Sequence, residues 1–320
     1  MRVFVTGATG WVGSAVVREL LDAGHRVLGL ARSDEGAAAV KAAGAEVHRG
    51  DLNDLDSLRT GAAASDGVIH TAYNHAFTDY AAAAALDRQA IGALGETLAG
   101  SNRPLIITEG VQRNAPGQVG TEDSVPPSGS FGYPRFESEE AAVSFVERGV
   151  RVAVVRFPPT VHGRGDHGFA SILINIARTK GVSAYPGDGS NRWPAVHRLD
   201  AAHLHCLALQ SAPAAARLNG VAEEGVPVRQ IADVIGRHLN VPVTSISPEK
   251  ATEHFGFIGI LFAQDLPASS DKTQTLLDWH PVQPGLIQDL NEGHYFDNLP
   301  ERSARMAVSA WNPTASIYGR

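Results

Sequence analysis

Residues 3–13 read VFVTGATGWVG, and the reading of this junction decides the fold. Val3, Phe4 and Val5 form a short apolar run that stops at a glycine, the pattern of a buried strand. From Trp11 onward, apolar residues recur at helical spacing through WVGSAVVRELLDAG (11–24), with Gly24 as the stop. Gly7, Gly10 and Gly13 stand at the junction. Gly7 permits a tight turn, Gly10 lets the backbone approach a ligand, and Gly13 lets the helix pack closely on the strand. A helix that opens this way offers free N–H groups to a phosphate. A glycine triplet alone also fits a plain packing turn, so its context has to decide.

The context is a regular alternation. HRVLGLARS (25–33) reads as a second strand and DEGAAAVKAAG (34–44) as a second helix. AEVHRGDL (45–52) is a third strand, followed by a short helix that an aspartate caps in DLDSLRTGAAA (54–64). DGVIHTA (66–72), an alanine-rich helix from Tyr80 to Gly100, and PLIITEG (104–110) continue the series. Residues 111–133 carry Pro, Gly and Ser and read as a long loop, before a helix at 136–149 and a sixth strand at 150–159. Such alternation with short connections predicts an α/β fold of Rossmann type: a doubly wound parallel sheet with helices on both faces. The alternation then breaks. Residues 1–160, with parts of 190–222, are expected to form the nucleotide-binding domain, and 161–296 mostly a smaller substrate-binding lobe. Residues 297–320 lack an amphipathic stripe and read as a tail.

Composition narrows the class. The 320 residues include 27 Lys and Arg against 34 Asp and Glu, a formal charge of −7, with 33 glycines. No basic run offers a footprint for nucleic acid or an anionic membrane, so bound phosphate has to be held locally. Cys206 is the single cysteine, which excludes an internal disulfide and fits a reducing, cytoplasmic setting. No signal-type segment or membrane-length apolar run is present.

With these residues in place, the chain resembles the extended short-chain dehydrogenases/reductases, the NAD(P)-dependent epimerase/dehydratase family. The resemblance rests on the GxxGxxG spacing and on GDL (50–52), DGVIHTA (66–72), VVRFPPTVHG (154–163), PAVHRLDAAHLHCLAL (194–209) and LDWHP (277–281). It implies a nicotinamide cofactor held by Gly7, Thr9, Gly10, Trp11, Val12 and Gly13. It further implies that Asp51 and Leu52 flank the adenine, and that Thr71, Ala72 and Tyr73 run beneath the ribose and pyrophosphate. Pro158, Pro159, Thr160 and Val161 resemble the segment that lines the nicotinamide. At the end of the second strand, NAD enzymes usually place an acid for the ribose 2′-OH. This chain has Ala31-Arg32-Ser33, a guanidinium fork and a hydroxyl suited to a 2′-phosphate. NADP is therefore expected, and NAD stays open if Asp34 points inward.

The catalytic pattern departs from the family. Members usually carry Ser or Thr after the fifth strand and Tyr-x-x-x-Lys opening the next helix. Here Thr108-Glu109-Gly110-Val111 occupies the first place, Phe131 the tyrosine place and Arg135 the lysine place. Tyr133 with Arg135, or a buried Glu109, is expected to handle the proton. A third reading is a non-catalytic NADP-binding sensor. A carboxylate would stabilise an iminium, whereas ketone reduction develops an alkoxide that needs a proton donor. The expected activity is an NADPH-dependent reduction of C=O or C=N on a small apolar or aromatic substrate. A sugar epimerase or dehydratase is the alternative, weakened by the missing pair. Asn74, His75, Phe77, His162, Phe169 and Trp193 are the pocket candidates. His197 reads as structural and Asp200 as the cap of the helix after it. No histidine pair has metal-ligand spacing, and the resemblance implies a homodimer in which the helix from Tyr80 to Gly100 packs against its copy, a buried helix within one subunit being the alternative.

Overall fold

The computed structural model describes residues 1–74, 80–112, 117–130 and 132–297. The first half builds the alternation: β1 (Arg2–Thr6), α1 (Trp11–Asp22), β2 (Arg26–Ala31), α2 (Asp34–Ala42), β3 (Glu46–Arg49) and α3 (Leu55–Ala63). It continues with β4 (Gly67–His70), α4 (Tyr80–Leu98), β5 (Pro104–Gly110), α5 (Tyr133–Val143) and β6 (Arg151–Phe157). Local chemistry starts the helices. Ser33 accepts from the Gly36 N–H to cap α2, and Asp54 accepts from the Ser57 N–H to cap α3.

The remainder comprises β7 (Thr160–His162), α6 (Phe169–Lys180), β8 (Ser183–Pro186), β9 (Arg192–His197), α7 (Arg198–Ser211), β10 (Ala216–Asn219) and β11 (Glu223–Pro227). Then come α8 (Val228–Leu239), β12 (Val243–Ile246), α9 (Ala251–Phe255), α10 (Ile258–Phe262), α11 (Asp271–Leu277) and α12 (Leu286–Asn291). The main sheet has seven strands in the order β10-β6-β5-β4-β1-β2-β3, and every pairing is parallel. The seventh, β10, is an addition to the six strands read from the sequence; its four residues, ARLN, are too short to show a period. Strand order turns back between β1 and β4, so a crevice opens at the carboxyl ends of these two strands. The glycine turn lies there.

Three buried clusters fill the molecule. One joins Val3, Val5, Ile69 and Val155 of the sheet to α1 and α7, with Trp279 against them. Phe4, Val68, Leu105 and Val152 pack on the other face against α3, α4 and α5. The alternation of Val3 and Phe4 between these clusters is the period-2 alternation of a strand buried on both sides. The third cluster, centred on Trp193, Phe255, Phe262 and Ile231, is the core of the later elements. No helix among the described residues is long and apolar enough to cross a membrane.

Two local expectations change. Helix α5 starts at Tyr133 rather than at 136, because Pro134 fits the first turn of a helix. The cap of α7 is His197, whose Nδ1 accepts from the Leu199 N–H 3.2 Å away; Asp200 instead accepts from the N–H groups of Val282 and Gln283.

Candidate active site

The glycine turn admits no side chain at Gly7 or Gly13. A Cβ at Gly13 would lie 2.1 Å from the Gly7 carbonyl oxygen, and one at Gly7 would meet Thr71 Oγ1 and the Ala72 nitrogen at 2.8 Å. Gly7 also has φ +68°, which side-chain-bearing residues rarely adopt. Gly10 precedes α1 without any side-chain cap, and the first turn holds no acid. The N–H groups of Trp11, Val12 and Gly13 therefore face outward with the positive end of the helix dipole behind them. Thr9 is exposed at the rim. Thr71 closes the turn from below by donating to the Thr6 carbonyl at 2.8 Å.

Trp11 ties this turn to the segment after β6. Its indole N–H donates to the Val161 carbonyl (2.8 Å), the Arg198 guanidinium lies 4.2 Å over its ring, and His167 meets it edge-on. Thr160, one residue earlier, has its hydroxyl oxygen buried with no hydrogen-bond partner among the described residues, beside the half-buried Pro159 and the buried Pro158. The glycine turn and residues 158–161, the segments expected to hold the cofactor, thus share one edge.

At the end of β2, Arg32 is exposed and Ser33 is engaged as the α2 cap. Arg49, at the end of β3, is a second cation there that the sequence reading missed. It donates to the Ser33 carbonyl and pairs with Asp34 Oδ1 at 2.9 Å. Asp34 is exposed and held by Arg49, rather than turned toward the place of the ribose. Asp51 accepts from Asn53, and these bonds together with the Arg32 charge hold its carboxyl below the usual range. Leu52 packs on the core beside it.

The residues at the family's catalytic places form a buried ionic chain. Arg135 Nε lies 2.6 Å from Glu109 Oε2, its Nη1 3.7 Å from Asp87 Oδ2, and its Nη2 donates to the Thr108 carbonyl at 2.7 Å. The guanidinium also lies 3.8 Å over the Tyr73 ring. Asp87 in turn pairs with His70 Nε2 (3.1 Å), and His70 Nδ1 meets Thr6 Oγ1 (2.7 Å). The period-2 alternation explains the sorting: Glu109 points to the α4/α5 face with Ile107, while Thr108 points to the α7 face with Ile106. There Thr108 Oγ1 meets His205 Nε2 at 2.9 Å. His205 Nδ1 sits 3.1 Å from the Ala201 carbonyl, and burial lowers the imidazole to about 4. A neutral ring that donates through Nδ1 must accept through Nε2, so the one Thr108 proton is committed to His205. In sequence His205 reads only as half of a His203/His205 pair without metal-ligand spacing, and nothing local signals its contact with Thr108.

Other expectations are redistributed. Tyr133 and Arg135 are two residues apart on α5, so their side chains diverge and make no pair. The Tyr133 ring packs 6.0 Å from Phe136, and Glu137 pairs with Arg88. His162 is buried, not pocket-lining: its Nδ1 bonds Asp289 at 2.8 Å, and His294 bonds the other Asp289 oxygen. Trp193 is likewise core, donating to the Leu261 carbonyl, with Phe169 5.8 Å from its ring. Both lie inward because β7 and β9 pair as a second sheet covered by α6 and α12. Asn74 is exposed; His75, Phe77, Phe131 and 298–320 lie outside the described residues. An 830 Å³ groove at β10, lined by Phe136, Arg217 and Leu276 among others, shares no residue with this edge.

Comparison with known proteins agrees with this geometry. Residues 3–97 match the model of the NAD dependent epimerase/dehydratase family. A protein of Schizosaccharomyces pombe with no assigned function is 50% identical over 92% of this chain and all of its own length. A ketoreductase of Stigmatella aurantiaca, acting on a 3-oxo-dihydroquinoline oxide, is 32% identical over 56% of each chain. In fold, the UDP-glucose 4-epimerase of Thermotoga maritima superposes with a TM-score of 0.74 at 19% identity, covering 92% of this chain and 98% of that one. The glycine turn, the parallel sheet and these similarities place the chain in the NAD-dependent epimerase/dehydratase family, among the extended short-chain dehydrogenases/reductases.

Proposed function

We propose that the protein is an NADPH-dependent reductase that acts on a C=O or C=N bond of a small apolar or aromatic substrate. The observation that carries the reading is the uncapped, acid-free start of α1 with two guanidiniums, Arg32 and Arg49, at the neighbouring strand ends. A 2′-phosphate placed at the end of β2 meets the exposed Arg32, with Arg49 beside it holding Asp34. The bound cofactor supplies the hydride. Around it, the N–H groups of 11–13 hold the pyrophosphate, Thr160 Oγ1 offers a polar partner at the nicotinamide segment, and Tyr73 shields Arg135.

With the Thr108 proton committed and Tyr133 diverging from Arg135, Glu109 at the end of β5 is the group left to serve as the acid. The ketoreductase relative supports C=O as substrate, and the carboxylate supports C=N. A nucleotide-sugar substrate is disfavoured because few cations remain for its diphosphate: Arg192 is bidentate on Asp265, Arg198 lies on Trp11 and donates to Ser14, and Arg164 is left exposed. The protein is further proposed to pair through α4 as a homodimer. A carbonyl and imine panel run with NADPH and NADH in parallel tests the reading. NADPH-linked turnover of at least one compound is expected, and binding without turnover across the panel would leave a cofactor sensor instead.

A further inference from the structure

Arg135 is shared by two carboxylates, and the two are not equivalent. Asp87 is 3% exposed and has an anchor: His70 Nε2 at 3.1 Å, itself fixed by Thr6. Glu109 is equally enclosed; its Oε2 lies 2.6 Å from Arg135 Nε, yet neither of its oxygens accepts a well-directed hydrogen bond among the described residues, whereas of the Asp87 oxygens only Oδ2 lacks one. One guanidinium cannot neutralise two buried carboxylates, and two like charges this close do not both ionise.

We propose that Asp87 is the positioning residue of this site: anchored by His70, it takes the charge of Arg135, and Glu109 beside it keeps the proton. Arg135 lies closer to Glu109 than to Asp87, so the His70 bond on Asp87 and the other charges around Glu109 decide between them. From α5, Glu139 adds negative charge, though it is itself held by Arg156 and Arg217. Tyr73 and Tyr80 face the cluster as neutral phenols, raised by burial. Burial, opposed by Arg135 and reinforced by Asp87, pushes Glu109 well above the usual carboxylate range. Burial would raise Asp87 too, but the His70 bond and the Arg135 charge outweigh it and hold Asp87 low. The consequence for the site is a neutral carboxylic acid, a donor, at the end of β5. That consequence rests on the reductase reading; the proton's location does not.

The test uses infrared difference spectroscopy on the full chain without cofactor. At neutral pH the wild type is expected to show the carbonyl stretch of a protonated, hydrogen-deuterium-sensitive carboxylic acid, absent from Glu109→Gln. In Asp87→Asn, which keeps an acceptor for His70, Glu109 should ionise about one pH unit lower or more, because the repelling charge is gone. If Asp87→Asn does not fold, His70→Phe should shift the band the same way by weakening the anchor of Asp87. With a turnover substrate, the alkaline limb of kcat against pH should move with the band, which a purely structural role would not do. A wild-type spectrum without a band assignable to Glu109 overturns the proposal, as does a band whose titration ignores Asp87 and His70. A band that behaves as stated in a protein with no reductase activity would sink the functional reading and leave this one standing.

Discussion

Single residues carry sharply different roles here, and their surroundings say which. Gly13 has no room for a methyl group, since the Gly7 oxygen would be 2.1 Å from it. Gly13→Ala is expected to cost about 3 kcal/mol or more and to abolish NADPH binding, read by chemical denaturation and by nucleotide fluorescence titration. Arg32→Glu leaves the glycine turn intact and should weaken NADPH relative to NADH by about 10- to 100-fold, the worth of a charge-assisted contact. Equal loss for both cofactors would contradict the assignment of Arg32. Asp166 is fully buried, accepts from Gly168 and Tyr295, and burial pushes it up to about 6. Its folded value exceeds its unfolded one, so the protonated form favours the native state. Stability from this group is full below about pH 4 and falls as pH rises toward 6, by up to about 3 kcal/mol. Asp166→Asn should flatten that dependence, and thermal melts across the range would show it.

At the scale of elements, β5 and β6 with α5 behave as a charged clasp inside an apolar core. Arg156 on β6 is fully buried and pairs with both oxygens of Glu139 on α5, while donating to the Glu122 carbonyl. Arg217 on β10 reaches the same carboxylate, which fixes the added edge strand to the sheet. Glu139→Gln leaves Arg156 buried without its counter-charge and should cost about 3–5 kcal/mol, measured by urea unfolding; a loss below about 1 kcal/mol would show the clasp to be dispensable. The elements up to β6 were legible because their signals are local: apolar runs, caps and glycine stops. β10 was not, because four residues become a strand only when β6 offers its edge. Tyr133 was misread as a loop residue for a related reason, since Pro134 looks like a breaker in sequence and acts as a helix opener in place.

For the whole molecule, the glycine turn was readable from sequence, and the charged cluster around Arg135 only in part. The glycine turn is a backbone device, and backbone devices leave a spacing. Arg135 and Glu109 could be named from their places, but Asp87, His70 and His205 could not. Those three reach the site from α4, β4 and α7, and only the folded sheet brings them together. His162 and Trp193 failed as pocket residues because a second sheet folds them into a core of its own. Together these parts are proposed to make an NADPH-dependent reductase. The most direct measurement is the consumption of NADPH, followed by the absorbance of the reduced nicotinamide, over ketones, aldehydes and cyclic imines, with NADH and UDP-glucose as parallel arms. The account predicts NADPH-linked reduction of at least one carbonyl or imine, more than about tenfold above NADH, and no change in UDP-glucose. Epimerisation of UDP-glucose with tightly retained NAD, and no reduction across the panel, would contradict it.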